Sequence, residues 1–268
     1  MADPVTRALA EVARLGPFFA VATDPAEEAD PTWRRLDALD TGDLARLIAA
    51  YARRLGGVED RVAASILFQA LASRLWSPVV ACAAGYGVVP DLAGLHWRWA
   101  PGAPIALWLA DPGGENTAEP AAVHAAVVDG GLRPLRETFG AVVKLADGLL
   151  WGNAASALVG TLRAGSLRPE LAVPVTGLVR ALLTMEPLAG TGTFTNPLPG
   201  TPAPTPPAST ELGTGTSTGP LGDTGGAAGS SPEQVLRPEM FRRRSCCLYY
   251  RVPPGGGMCG DCALLPQA

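Results

Sequence analysis

Four cysteines near the C-terminal end, Cys246, Cys247, Cys259 and Cys262, carry the strongest chemical signal in this 268-residue sequence. Their pattern is C-C-x11-C-x2-C, set in Arg-Arg-Arg-Ser-Cys-Cys-Leu-Tyr-Tyr-Arg-Val-Pro-Pro-Gly-Gly-Gly-Met-Cys-Gly-Asp-Cys. Four convergent thiolates suit one tetrahedral zinc ion or a [2Fe–2S] cluster. Zinc modules usually wrap one ion with two C-x2–4-C knuckles, whereas adjacent residues on a strand point to opposite faces. The Cys246-Cys247 pair therefore suits a wider two-iron cluster better than a single ion. Spacing alone leaves both open, and a metal-free module as well. In the second pair, Gly260 would let the backbone approach a bound sulfur and donate N–H···S bonds.

The surroundings bear on the same chemistry. Arg242, Arg243, Arg244 and Arg251 could offset the negative charge of a four-thiolate cluster, raise its potential, or attract an anionic electron donor. Alternatively they form a solvated basic run. Elsewhere the inventory excludes more than it offers. With 21 Lys and Arg against 25 Asp and Glu, the net charge is −4, which does not suit a general nucleic-acid binder. Lys144 is the one lysine, so P-loop and Schiff-base chemistry have almost no candidates. His96 and His124 are too few for a multi-histidine metal centre, and Cys82 reads as a packed thiol on a helix of small residues. Gly255 to Gly260 formally matches G-x-G-x-x-G, but no βαβ unit or acidic residue follows it. Electrons for any redox step must then come from a separate donor.

The first twenty residues show no secretory pattern. No window of 18 uninterrupted apolar residues occurs, and the best stretch, Val142 to Leu162, carries Lys144, Asp147 and Asn153, so no transmembrane segment is expected. A cytoplasmic chain follows, and in that reducing compartment clustered cysteines are more often metal ligands than disulfides.

These side chains need a scaffold. Apolar residues make up 47% of the chain, enough to bury a core. From Gly190 to Pro232, 32 of 43 residues are Gly, Pro, Ser or Thr, too little apolar surface to offset ordering entropy. The expected organisation is a body over 1–189, a disordered linker or insertion over 190–232, and a cysteine module over 233–268. In the body, the apolar spacing predicts a helix from Asp40 or Thr41 to Arg53 and another from Val58 to Trp76. A short helix should then start at Ser77-Pro78 and run through Cys82. Leu95 to Ala110 reads as a β-hairpin and Ala121 to Val128 as a third strand. Further helices are expected from Pro134 to Arg163, interrupted near Gly148 to Gly152, and from Pro169 to Met185. In the module, Cys247 to Val252 has strand chemistry and Pro253 to Gly257 forms a reversal. The fold class is thus α+β: a helix-dominated body with a small antiparallel sheet, and a cysteine-rich hairpin module.

The cysteine segment resembles the C-terminal domain of ferric siderophore reductases, the FhuF-like family, whose pattern is C-C-x10-C-x2-C. Two body segments are similar to the same family: Ser-Arg-Leu-Trp76-Ser-Pro-Val-Val-Ala-Cys-Ala-Ala-Gly-Tyr-Gly-Val-Val-Pro-Asp-Leu and Leu-Leu-Trp151-Gly-Asn153-Ala-Ala-Ser156-Ala-Leu. The resemblance covers body and module but not the linker. This loop is one residue longer, with Pro253-Pro254 in place of a single proline. The resemblance implies a [2Fe–2S] cluster on Cys246, Cys247, Cys259 and Cys262. It also implies one-electron reduction of siderophore-bound Fe³⁺, for which the separate donor, required because no nucleotide-binding fingerprint is present, would be a flavoprotein or ferredoxin. The alternatives are a non-enzymatic siderophore-binding or iron-sensing protein, and a zinc-stapled structural module. Arg74, Trp76, His96, Trp97, Arg98 and Trp151 are candidates to line a substrate cleft facing the cluster. The competing expectation puts the tryptophans in the core and Arg74 and Arg98 at the surface or in ion pairs.

Overall fold

A computed structural model describes residues 3–100, 103–194, 240–254 and 257–265. Helix α1 spans Pro4–Ala13, with the Asp3 carboxylate accepting from the Val5 N–H and Pro4 opening the first turn. Strand β1 is Arg34–Arg35, and α2, Thr41–Arg54, starts where the Asp40 carboxylate accepts from the Asp43 N–H. Helix α3, Asp60–Tyr86, is apolar nearly all round and is the axis of the body, packed by α1, α2, α6 and α8. It ends at Gly87, whose φ of 64° is the left-handed stop. By length and composition α3 alone among the described helices could cross a membrane, yet 78% of its most apolar window is buried inside the protein. It is a core helix.

Next come β2 (Val89–Pro90), β3 (His96–Arg98), β4 (Ala106–Trp108) and β5 (Gly114–Glu115). Then follow α4 (Pro120–His124), a run of wide turns over Ala125–Leu132, α5 (Arg133–Val142), α6 (Asp147–Gly160), α7 (Arg163–Leu167) and α8 (Ala172–Leu182). Strands β6 (Gly192–Phe194) and β7 (Phe241–Arg243) complete the elements. The described strands form three small antiparallel sheets, β1-β3-β4, β2-β5 and β6-β7. The α+β class holds, and so does the hairpin, with His96 opposite Trp108 and Arg98 opposite Ala106.

Several local expectations do not hold. The helix expected to break at Ser77-Pro78 continues through it. Burial of Pro78, Val79 and Val80 outweighs the ~3 kcal/mol cost of an internal proline, while the Ser77 hydroxyl donates back to the Ser73 carbonyl. Residues 121–128 are helical rather than a strand. Val123, Val127, Leu132, Leu135 and Phe139 are buried in turn along one helical course, which the short alternation concealed. The interruption before α6 falls at 143–146, and Gly148 and Gly152 lie inside the helix. Of the expected linker, residues 192–194 are strand β6, paired with β7; the part from 195 to 232 lies outside the described residues. The expected strand over 247–252 is a bend followed by a single 3-10 turn at Tyr249–Arg251, so the module's ladder is built just before its cysteines.

Candidate metal centre

Strand β7 delivers the cysteines. Its register on β6 sets Phe241 against Phe194, rings 5.3 Å apart, and Arg243 opposite Gly192. Gly192 has no room for a side chain, because a Cβ there would overlap the Phe241 ring. The Arg244 N–H then reaches the Thr191 carbonyl at 2.9 Å, and the Ser245 hydroxyl reaches the Gly148 carbonyl on α6 at 2.7 Å. A Cβ at Gly152 would overlap that hydroxyl, so the glycine reserves the docking space. Leu248, at φ 67°, takes the left-handed conformation, which costs about 1–2 kcal/mol because its Cβ crowds the following carbonyl oxygen. That turn aims its N–H at Cys246 Sγ, 3.3 Å away. Arg251 then pairs with Glu59 at the start of α3.

The second pair closes over the first. The Cys262 N–H bonds to the Cys259 carbonyl at 3.0 Å, and the Leu264 N–H points to Cys262 Sγ at 3.4 Å. Cys247 and Cys259 sulfurs are 3.6 Å apart, close to the ~3.8 Å that two ~2.3 Å bonds span at a tetrahedral metal. The Arg243 guanidinium donates to Cys259 Sγ at 2.9 Å. Among the described residues, no three His, Cys, Asp or Glu side chains are grouped as a single-ion site would require. The donor set fits a [2Fe–2S] cluster: four thiols, three of whose sulfurs receive N–H bonds, beside a buried cation.

The charge balance is local. Burial would lower the Arg243 pKa, but the Asp261 carboxylate and the Cys247 and Cys259 sulfurs outweigh it and raise the value. The Cys247 thiol is held low, chiefly by the hydrogen bond from Cys259, against its burial and with help from Arg243. Cys259, which supplies that bond, is pushed up. Cys246 is raised by burial.

Arg243 also ties the module to the body. Its side chain has no exposed surface and pairs with Asp261 at 3.0 Å. It donates to Asn153 Oδ1 on α6 at 2.7 Å. The Asn153 amide in turn donates to the Ser65 carbonyl and hydroxyl, each at 2.9 Å, and the Ser65 hydroxyl donates to the Cys247 carbonyl at 2.7 Å. Ser65, Asn153 and Arg243 are all buried. Of the four arginines considered from sequence, Arg243 alone donates to a cysteine sulfur in the hydrogen bonds described. Asn153 lay within a segment resembling the family, but its link to the module was not legible there. A polar residue among alanines and leucines on a buried helix was the available signal.

Beside the module lies a groove of about 760 Å³. It runs between the 15–19 loop, α3, α6 and α7, and Gly260 and Asp261 form part of its wall. None of the six expected cleft residues lines it. Arg74 is buried, with its donors spent on the carbonyls of Ile105, Pro17 and Ala20, and burial lowers its pKa to about 10. It thus braces the groove's 15–19 wall from behind. Trp76 and Trp97 are core residues, and His96 packs on Trp108 at 4.6 Å. Arg98 pairs with Asp30 and stacks on Trp33. Trp151 is buried on α6 near Arg133. The six do not form one cleft, because aromatic and arginine side chains serve packing as readily as binding.

The site defines a class: a four-cysteine, iron–sulfur type C-terminal module docked on a helical body. Residues 243–264 match the family model of the FhuF 2Fe-2S C-terminal domain. That stretch is FhuF-like and points to a [2Fe–2S] cluster. No curated protein and no solved structure matches the chain.

Proposed function

We propose that the chain is a cytoplasmic ferric siderophore reductase supplied with electrons by a separate flavoprotein or ferredoxin. The observation that carries this reading is the four-thiol module matching the FhuF 2Fe-2S C-terminal domain, with Arg243 buried against one of its sulfurs. When bound, a [2Fe–2S] centre supplies single electrons, and one electron is what the reaction needs. Siderophore oxygens hold Fe³⁺ tightly and Fe²⁺ far more weakly, because Fe²⁺ is softer and less charged. The donor loses one electron, the iron gains it, and no hydride moves. The chain's own residues hold the thiolates in place: Leu248 and Leu264 N–H groups and Arg243 each donate to a sulfur, and Asp261 and Asn153 fix the guanidinium.

The test is anaerobic purification followed by spectroscopy, metal analysis and mixing. The expected protein is brown, with two irons and two acid-labile sulfides. Once reduced it is reoxidised by a ferric siderophore, with Fe²⁺ trapped by a ferrous-specific chelator, over many cycles when a reductant is present. A colourless protein with one zinc overturns the reading in favour of a structural module. Stoichiometric binding without turnover overturns it in favour of a sensor.

A further inference from the structure

We infer that the groove between α3, α6, α7 and the 15–19 loop is the seat of the ferric chelate, with Gly260 and Asp261 as its cluster-side wall. The inference rests on the reductase reading and names where that substrate lies. The groove's volume of about 760 Å³ falls in the roughly 300–1,000 Å³ range of small-molecule sites. The two wall residues are those between Cys259 and Cys262. Asp261 and the Cys259 sulfur share the Arg243 guanidinium, at 3.0 and 2.9 Å. A ligand touching Asp261 is thus one side chain away from a cluster sulfur.

The lining chemistry matches a metal complex wrapped in oxygen donors. Ser65, Gln69, Ser73 and Ser77 recur every four residues along α3, a polar stripe on a largely apolar helix. The first meets the cysteine module, and the other three line the groove. Ser156 answers from α6, hydrogen-bonded to the Gln69 amide at 3.1 Å. Arg163 lines the groove, is exposed, and has no ion pair or hydrogen bond among the described residues. Its guanidinium suits the anionic oxygens of a chelator. Phe18 and Leu167, 48% and 57% exposed, add apolar surface to the same groove. Large apolar side chains left in water beside a concave site are suited to a ligand's hydrocarbon frame. An iron chelate has both parts, a polar oxygen shell and an organic backbone.

The experiment uses the full chain with its cluster. Gallium(III) complexes of a tris-hydroxamate and of a tris-catecholate chelator, which carry no reducible metal, are titrated calorimetrically. Arg163→Glu reverses the unpaired charge. Gly160→Phe fills the groove, where a Cβ at Gly160 meets nothing within 4 Å. The expected result is binding of at least one complex by the wild type and at least tenfold weaker binding by both variants, with the cluster's visible spectrum unchanged. Wild-type affinity in both variants overturns the groove assignment and leaves the reductase reading standing. So does reoxidation of the reduced protein by ferric chelates when neither gallium complex binds. If neither gallium complex binds and neither ferric counterpart reoxidises the protein, the reductase reading falls and the groove falls with it.

Discussion

Replacing Arg243 by Gln removes a guanidinium that the structure buries against the cysteines, and it should be felt in two measurements. The first is stability. Arg243 has no exposed side-chain surface and Asp261 is 15% exposed, so the change leaves a nearly buried carboxylate without its partner. Breaking such a pair costs about 3–5 kcal/mol, and a thermal or urea melt should show it. The second is the cluster's reduction potential. At 2.9 Å, with an effective dielectric of about 20, a full charge on the Cys259 sulfur interacts with the guanidinium by roughly 6 kcal/mol. If an added electron is shared among four thiolates, about a quarter of that applies, near 1.4 kcal/mol. That is one decade in the equilibrium, or about 60 mV for one electron. Arg243→Gln should therefore lower the midpoint potential by about 60 mV in a spectroelectrochemical titration. Arg243→Lys, which keeps the charge but not the fork, should recover most of the potential and little of the stability. A potential unchanged in Arg243→Gln, or one equally shifted in Arg243→Lys, would show that charge at this position does not set it.

Two further outcomes follow from the packing. Gly152→Ala should cost about 1 kcal/mol, because its Cβ displaces the Ser245 hydroxyl from the Gly148 carbonyl. Melts of the double variant with Ser245→Ala should show most of that penalty relieved, and strict additivity would argue against the contact. Cys82 tests the core by pH. Burial pushes its thiol from 9.0 up to about 12, so the folded state holds a proton that the unfolded chain releases. The associated stability is full below pH 9 and is lost as pH rises toward 12, by about 1.4 kcal/mol per unit. Urea melts at pH 8 and 10.5 should show a fall about 2 kcal/mol smaller in Cys82→Ala than in wild type. Equal falls would mean that Cys82 titrates freely.

The fold was legible where a signal was both local and uncontested. Leu44, Leu47, Ile48 and Tyr51 recur at helical spacing behind a capping Asp40, and α2 forms there within a residue of the expected end. The 95–110 hairpin announced itself by its Trp-rich runs and Pro-Gly turn. It failed where a local rule met a tertiary one. Ser77-Pro78 has every mark of a helix start, but a segment buried on all sides has more to lose from breaking than from carrying a proline. Gly148 and Gly152 look like breakers, and Gly152 is there for the approach of Ser245. The β6-β7 pairing joins residues separated by the low-complexity stretch, and no local pattern foretells such a partner.

The candidate site divides in the same way. Four cysteines within one short segment are visible because their spacing is itself the signal; an arginine's partner is not, and Arg242, Arg243 and Arg244 are equivalent on paper. What separates Arg243 is that the β7 pleat turns it inward, onto Asn153 and Cys259. The polar stripe on α3 was written in the sequence all along, as Ser, Gln, Ser and Ser four residues apart in an apolar helix. Tryptophan and arginine were the more conspicuous residues, and they proved to be core and braces.

A buried polar network stabilises only when every member is satisfied. Here the members come from three distant stretches: Ser65 on α3, Asn153 on α6, and Arg243 with Cys247 and Asp261 in the C-terminal segment. Neither the α3–α6 crossing nor the cysteine segment can satisfy its polar groups alone. Undocked, the body would expose Ser65 and Asn153, and the segment would lose the partners that hold its guanidinium against a sulfur. Phe241 and Leu248 join the body's core on the same docking. The arrangement of the thiols is thus a property of the docked chain rather than of the cysteine motif, and the groove gains its Gly260 and Asp261 wall only in that docked form.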